Sequence, residues 1–434
     1  MNRTVLITLS QPESLIILII FYCFPSTIYS QIYQDRVYSN DIKTVQLYRN
    51  GWVLSDPVIQ LSSSEQLLLS FDDLSSEVKN YQYTILHCSA NWELTNLLQT
   101  EYLKGFHVNE IDDYNYSFNT NFEYVQYQLL FPNEDVQPVV SGNYIIKVFQ
   151  DNDQEHPVFI KQFRVTEQIV NIVPECRFPI NQVYRNTMQQ INVKVLHPDL
   201  EIVNPNQEVK LFVQQNGRTD NMAANIKPDF IRPNELVYEY KKEMMFEGGN
   251  EFRWLDIRSK RFLPEHVKSI ELHQPYYHAE LFPDQIRFKT PYFYKEDSNG
   301  KFIVSVREYD NPSVDADYLF VHFFLPMEAP FLDGDIYVSG GLTDWNFSAK
   351  NKMNYNFETM QYELSLLLKQ GFYNYCYYKK PKNSDKAEVT PMEGSHSITE
   401  NEYYIYVYFR GPSDYYDRLI GVESINTLKP KPIW

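Results

Sequence analysis

Apolar and polar positions alternate with period two along most of the chain, the pattern of strands with one face turned to a core. Val45 and Leu47 define one apolar face, Leu67, Leu69 and Phe71 a second, and Val125, Tyr127, Leu129 and Phe131 a third. In Tyr81–Cys88, Tyr81, Tyr83, Ile85 and His87 fall on one side and Gln82, Thr84, Leu86 and Cys88 on the other. Both sides are largely apolar, which predicts a buried central strand. Tyr144, Ile146 and Val148 then face one way, and Phe159, Phe163 and Val165 close the set. Asn50-Gly51 predicts a two-residue hairpin, since both residues tolerate positive φ. Leu94, Leu98 and Tyr102, followed by Gly105, predict a short amphipathic helix used as connecting structure.

The same rhythm recurs further on. Strands are predicted at 191–196, 209–213, 236–240, 252–257 and 285–288, with Asn216-Gly217 as a turn, and then at 302–306 after Asn299-Gly300, and at 320–325, 362–368, 373–377 and 403–409. At about 150 residues per domain, 434 residues suggest three units. The expected architecture is all-β: tandem immunoglobulin-like and early-set β-sandwich domains at 31–168, 169–290 and 291–434.

Composition supports this class. Aromatic residues make up 16% of the chain, with 35 Tyr and 28 Phe against 14 Gly, a balance that suits half-buried strands better than glycine-rich loops. The formal charge of −17 repels phosphate backbones and anionic lipid, so the expected partners are proteins and not nucleic acid. Residues 1–30 combine Arg3, an apolar run at 15–24 and a Pro25–Ser30 flank. That run is shorter than the roughly 20 residues a membrane span needs, and the expectation is a signal peptide cut between Ser30 and Gln31. Phe21 and Tyr22, before Cys23, are not the small residues of a lipidation site.

Candidate chemistry is sparse. His87 and Cys88 invite a base-and-nucleophile assignment, but strand neighbours point to opposite faces and cannot share a proton. No two glycines stand four or five residues apart, which excludes G-x-S-x-G and G-x-x-x-x-G-K. Asp333-Gly-Asp335 and Asp297-Ser-Asn-Gly300 lack the other ligands of a calcium loop. Asp72-Asp73 and Asp112-Asp113 are ordinary in so acidic a chain. His266, His273 and His278 show no HExxH spacing, so no metal site is expected. Past the leader, Cys88, Cys176 and Cys376 form an odd set without C-x-x-C, in which one pair could still bridge. No catalytic residue and no cofactor is expected.

Certain strings carry a family signal. Phe71-Asp-Asp-Leu74, Tyr81-x-Tyr-x-Ile-x-His-Cys-x-x-x-Trp92, Ser141-Gly-Asn-Tyr144, Gly249-Asn-Glu-Phe-Arg253, Gly341-Leu-Thr-Asp-Trp345, Gln370-Gly-Phe-Tyr-Asn-Tyr375, Thr399-Glu-Asn-Glu-Tyr403 and Tyr416-Asp-Arg-Leu-Ile-Gly421 together resemble the type IX secretion system plug protein family. The resemblance spans nearly the whole chain after residue 30. It implies a non-catalytic periplasmic protein of a Bacteroidota-type cell, which occludes the periplasmic opening of the outer-membrane translocon barrel and is peripheral to that membrane. The stretch 336–345 also looks like the early-set sandwich of glycogen-binding modules. Trp345 therefore has two possible roles, packing a sandwich end or stacking on a sugar ring, and the second would make the protein a periplasmic or surface glycan-binding protein. Lys429–Trp434 reads as an extended tail.

Overall fold

The computed structural model describes residues 32–428. The expected cut between Ser30 and Gln31 and the tail from Lys429 lie outside the described residues. Alternation becomes strand almost everywhere it was predicted, and the described residues build an all-β assembly of sandwiches around three large apolar cores.

In the first sandwich, Ile42–Arg49, Leu67–Asp73, Val125–Phe131 and Asp113–Tyr116 pair in that order. The facing sheet runs Arg36–Val37, Phe159–Thr166, Gly142–Gln150, Tyr81–Cys88, Asn109–Glu110, with Val58–Gln60 parallel to Phe159–Thr166. Leu67, Leu69, Phe71, Tyr81, Tyr83, Ile85, Ile146 and Val148 meet between the sheets, each at most 1% exposed. The opposite face of Tyr81–Cys88 is buried as well, where Cys88 packs with Trp92, Ile145 and Ile160. Asn50-Gly51 turns the chain, but the hairpin is limited to one bridge between Arg49 and Trp52, because Ile42–Arg49 takes Leu67–Asp73 as its partner. The predicted 94–102 helix shrinks to Gln99–Tyr102, since Leu94 is bridged to Cys88 and Leu98 is exposed.

Sheet pairing crosses the boundaries that chain order suggests. The second core lies between Asn171–Arg177, Met188–Leu196, Glu235–Tyr238 and Phe230–Arg232 on one side and Ala223–Ile226, Val209–Gln215, Glu402–Phe409 and Arg418–Asn426 on the other. Its last two strands come from the end of the chain. Val209 faces Phe409 and Gln215 faces Tyr403 along one continuous register, so Tyr403, Ile405 and Val407 enter the second core while Tyr404, Tyr406 and Tyr408 point away from it. Conversely, Arg253–Asp256, Val267–His273 and Tyr276–Leu281 belong to the third core with Tyr318–Pro326, Gln361–Lys369 and Gly371–Pro381. The segment 285–288 is not a strand: Arg287 ties down its backbone by donating its N–H to the Met392 carbonyl at 2.8 Å. Local periodicity specifies which face of a strand is apolar, but a strand's partner is a long-range choice that periodicity does not carry. Among the described residues no helix is long and apolar enough to cross a membrane.

Candidate functional site

His87 and Cys88 diverge as strand geometry requires. The His87 ring lies within 4.9 Å of the Tyr144 ring and 5.4 Å of the Tyr416 ring, and Nε2 sits 3.1 Å from the Ser141 carbonyl. Burial holds the imidazole neutral and lowers its pKa to about 4, so Nε2 donates to Ser141 while Nδ1, 2.9 Å from the Thr95 hydroxyl, accepts. Burial on the other face pushes the Cys88 thiol up to about 12. The two side chains lie on opposite faces of the strand and share no proton. Gly142 explains why Ser141-Gly-Asn-Tyr reads as it does: its φ is +136°, and a Cβ there would stand 2.5 Å from His87 Nε2. Cys88, Cys176 and Cys376 are all free thiols. Among the described residues no group of three or more His, Cys, Asp or Glu side chains is placed to hold a metal ion.

Trp345 is 9% exposed and edge-on to Phe252 at 5.9 Å. Gly217 and Gly300, the second residues of two Asn-Gly turns, give it room: a Cβ on Gly217 would lie 2.8 Å from the indole Nε1, and one on Gly300 would overlap its ring. Phe252, Gly217 and Gly300 thus enclose the indole, as packing of a sandwich end requires. Asp344 and Trp345 both take left-handed backbone, at φ +51° and +57°, strain that a tryptophan adopts only where its surroundings over-determine it. The restraint comes from the first sandwich. Lys161 bonds Asp344 at 2.5 Å and Asp35 at 3.0 Å, and although burial opposes it, these two carboxylates keep the Lys161 ammonium charged.

Two further family strings reach the seams between the cores. From Phe71-Asp-Asp-Leu74, Asp72 leaves the first sandwich to meet Lys369 at 2.6 Å and the Tyr318 hydroxyl at 2.6 Å, both from the third core. Asp72 and Lys369 are each 2% exposed. Burial pushes the Asp72 carboxyl up and the Lys369 amine down, the signature of charges desolvated more than they are repaid by each other. From Tyr416-Asp-Arg-Leu-Ile-Gly421, Asp417 accepts the Ala90 N–H at 3.0 Å and the Lys210 ammonium at 2.7 Å, while Leu419 N–H donates to the Ser141 hydroxyl. Arg164 adds a cation between the first and second cores, 4.8 Å from the Trp92 ring centre and 3.9 Å from that of Tyr406. Between the second and third, Arg218 donates to the Ala387 carbonyl at 2.9 Å. Sequence reasoning missed these residues as a set. The available signal was a charged residue ending an apolar strand, as in Leu67–Asp73 and Gln361–Lys369.

Among the described residues, side chains from three cores meet at shared seams, and His87 and Cys88 lie on opposite faces of one strand. Residues 42–167 match the family model described as the first domain of the type 9 secretion system plug protein. The chain is also similar to a crystal structure of a hypothetical protein from Parabacteroides merdae ATCC 43184, with 38% identity, 91% of this chain and 100% of that chain covered, and a TM-score of 0.89. Trypsin-activated alpha-2-macroglobulin from Escherichia coli aligns at 8% identity over 88% of this chain and 23% of that one, and its TM-score of 0.16 carries no weight. No curated protein matches the chain.

Proposed function

The chain belongs to the type IX secretion system plug protein family, and from that premise we propose that it is a non-catalytic periplasmic plug that docks on the translocon barrel and occludes its periplasmic opening. A role in type IX secretion follows from the family, as does a place in the cell envelope. Occlusion is the finer step. A barrel wide enough for large cargo leaks solutes when idle, and a body bound at its mouth stops the leak without chemistry provided that the body does not deform.

The observation that carries the proposal is the cross-bracing of the three cores. Tandem sandwiches joined only by linkers would flex, with domain motion as the default. Here two strands from the end of the chain complete the second core, and a buried ion pair and a buried lysine clamp tie the third core to the first. Reversible release during transport calls for a wet, polar docking interface and not an obligate apolar one.

The test is purification of the native tagged barrel under gentle conditions from cells expressing this protein. The expected result is co-purification with idle, cargo-free barrel, weakened by salt, and outer-membrane leakage of large antibiotics on deletion with secretion largely intact. Barrel that never carries the protein would sink the proposal.

A further inference from the structure

The outer face of one sheet in the third sandwich carries a file of rings. Tyr276–Leu281 lies parallel to Tyr318–Pro326, which pairs antiparallel with Gln361–Lys369. Ala279, Leu281, Val321 and Phe323 enter the core, so alternation sends His278, Glu280, Phe320 and His322 to the other side. There Phe122 stacks on Tyr276 at 4.5 Å between ring centres, and Tyr276 meets Phe320 at 5.1 Å. Phe320 meets His278 at 5.2 Å, and His278 meets His322 at 5.1 Å. Both imidazoles are half-buried, so neighbours hold them while solvent still reaches them.

At the end of this file two ring nitrogens converge. His278 Nδ1 and His322 Nε2 are 2.9 Å apart and share one N–H. Two nitrogens bound at about 2.0–2.1 Å to one ion stand about 2.9 Å apart at a right angle and about 3.3 Å apart at the tetrahedral angle. A shift of a few tenths of an ångström therefore lets an ion take the place of the shared proton. No short spacing motif joins the two rings, because His322 is 44 residues from His278 and only the parallel pairing of their strands brings them together.

The other nitrogen of His322 is braced as that of a ligating imidazole is. Its Nδ1 lies 2.7 Å from the Ser365 hydroxyl, which is able to accept an N–H. Ligation needs a lone pair on both facing nitrogens. If the shared N–H belongs to His322 it moves to Nδ1, where Ser365 accepts it, and if it belongs to His278 it moves to Nε2. Each ring keeps one proton and none is released. Two carboxylates flank the pair in register, Glu280 opposite His322 and Glu271 opposite His278. Glu280 also meets Lys268 at 2.8 Å, and Glu271 lies 3.5 Å from His273 Nε2. Imidazole donors select zinc, nickel or copper over magnesium and calcium, which take oxygen ligands.

We infer that His278 and His322 form a surface site for a divalent transition-metal ion of the zinc class, bound through Nδ1 of the first and Nε2 of the second. Two protein ligands fall short of the group of three that is absent among the described residues, so the site is an open one, with water in the remaining positions and modest affinity. The inference is independent of barrel occlusion.

The probe is zinc chloride titrated into the full chain, with heat measured for affinity and 15N-labelled histidine side chains followed by NMR. Saturable one-to-one binding at micromolar concentrations is expected, with the nitrogens of His278 and His322 shifting first and no response to magnesium or calcium. His278→Gln and His322→Gln should each abolish saturation. Ser365→Ala, at an exposed position, should weaken zinc about tenfold with unchanged melting of the metal-free protein. Zinc should also raise the melting temperature of the parent and leave that of His322→Gln where it was. Two controls remove other donors: His156→Gln, whose ring is 84% exposed elsewhere on the molecule, and Cys176→Ser, and both should bind as the parent does. Absence of saturable zinc binding, parent-like affinity in His322→Gln or Ser365→Ala, displacement of zinc by equal calcium, or loss of binding in either control would each overturn the inference.

Discussion

Two buried cations close the two seams of the first sandwich in opposite ways. Lys369 meets a formal anion, Asp72, with both side chains 2% exposed. Arg164, 7% exposed, lies instead against the faces of Trp92 and Tyr406. The ammonium is a compact, strongly hydrated charge that a seam can hold only by supplying another charge. The guanidinium is flat and weakly hydrated, and it can be held by aromatic quadrupoles. The ion-pair seam is therefore brittle: each partner is tolerable only while the other is present. The aromatic seam grades its losses.

The largest effect that could break this comparison is at the ion pair. Lys369→Met should destabilise the protein by about 3–5 kcal/mol, because it leaves the buried Asp72 carboxylate without its counter-charge. Asp72→Leu with Lys369→Met should return most of that loss, to within about 1 kcal/mol of the parent, since an apolar pair of similar volume carries no desolvation cost. Urea denaturation of the two singles and the double gives the coupling. A double variant as unstable as Lys369→Met would show that the seam depends on the Tyr318 hydroxyl, which also meets the Thr44 hydroxyl at 2.6 Å, and not on the charges.

How far this was legible from sequence differs between the two seams. The strands themselves were: Leu67, Leu69 and Phe71 face a core as their alternation predicts, and Asn216-Gly217 and Asn299-Gly300 turn with positive φ at both residues. Asp72 and Asp73 show where it stopped. The two letters are the same, yet strand alternation sends Asp72 to Lys369 in the third core and Asp73 to Tyr81 and Lys79 at home. Periodicity predicts that the pair divides, but not what waits on either side, because Lys369 is 297 residues away. For the tyrosines at 404, 406 and 408, the sequence predicts only a strand over 403–409. They become seam residues only because Glu402–Phe409 crosses back to the second core, a pairing that no local pattern records.

A pH scan sharpens the comparison from the other side, because the aromatic seam carries His87 at its edge against Tyr416. The ring is neutral in the fold, its pKa lowered from 6.5 to about 4 by burial. The unfolded chain therefore takes up a proton near 6.5 that the folded chain refuses until about 4. This contribution to stability is fully present above 6.5 and is lost as pH falls through that window, by about 3 kcal/mol in all. His87→Gln should flatten the slope between pH 6.5 and 4 when urea midpoints are compared. An unchanged slope would mean that the acid response comes from other groups.

The smallest effect is expected at Arg164, and it tests the comparison most directly. Arg164→Met keeps a long apolar stem under Trp92 and Tyr406 and removes the cation, so the loss should be the two cation–π contacts together with a weaker attraction to Asp56, about 2 kcal/mol in a desolvated setting. Arg164→Lys keeps the charge but concentrates it in an ammonium that must be stripped of water without a facing anion. If the seams differ because of how each cation is hydrated, Lys at 164 should be no better than Met, and both should cost less than Lys369→Met. If formal charge alone mattered, Lys would restore the seam and Met would not. Thermal melts of the two variants, run beside Lys369→Met at one pH near neutrality, decide between the two accounts by the order of the three midpoints.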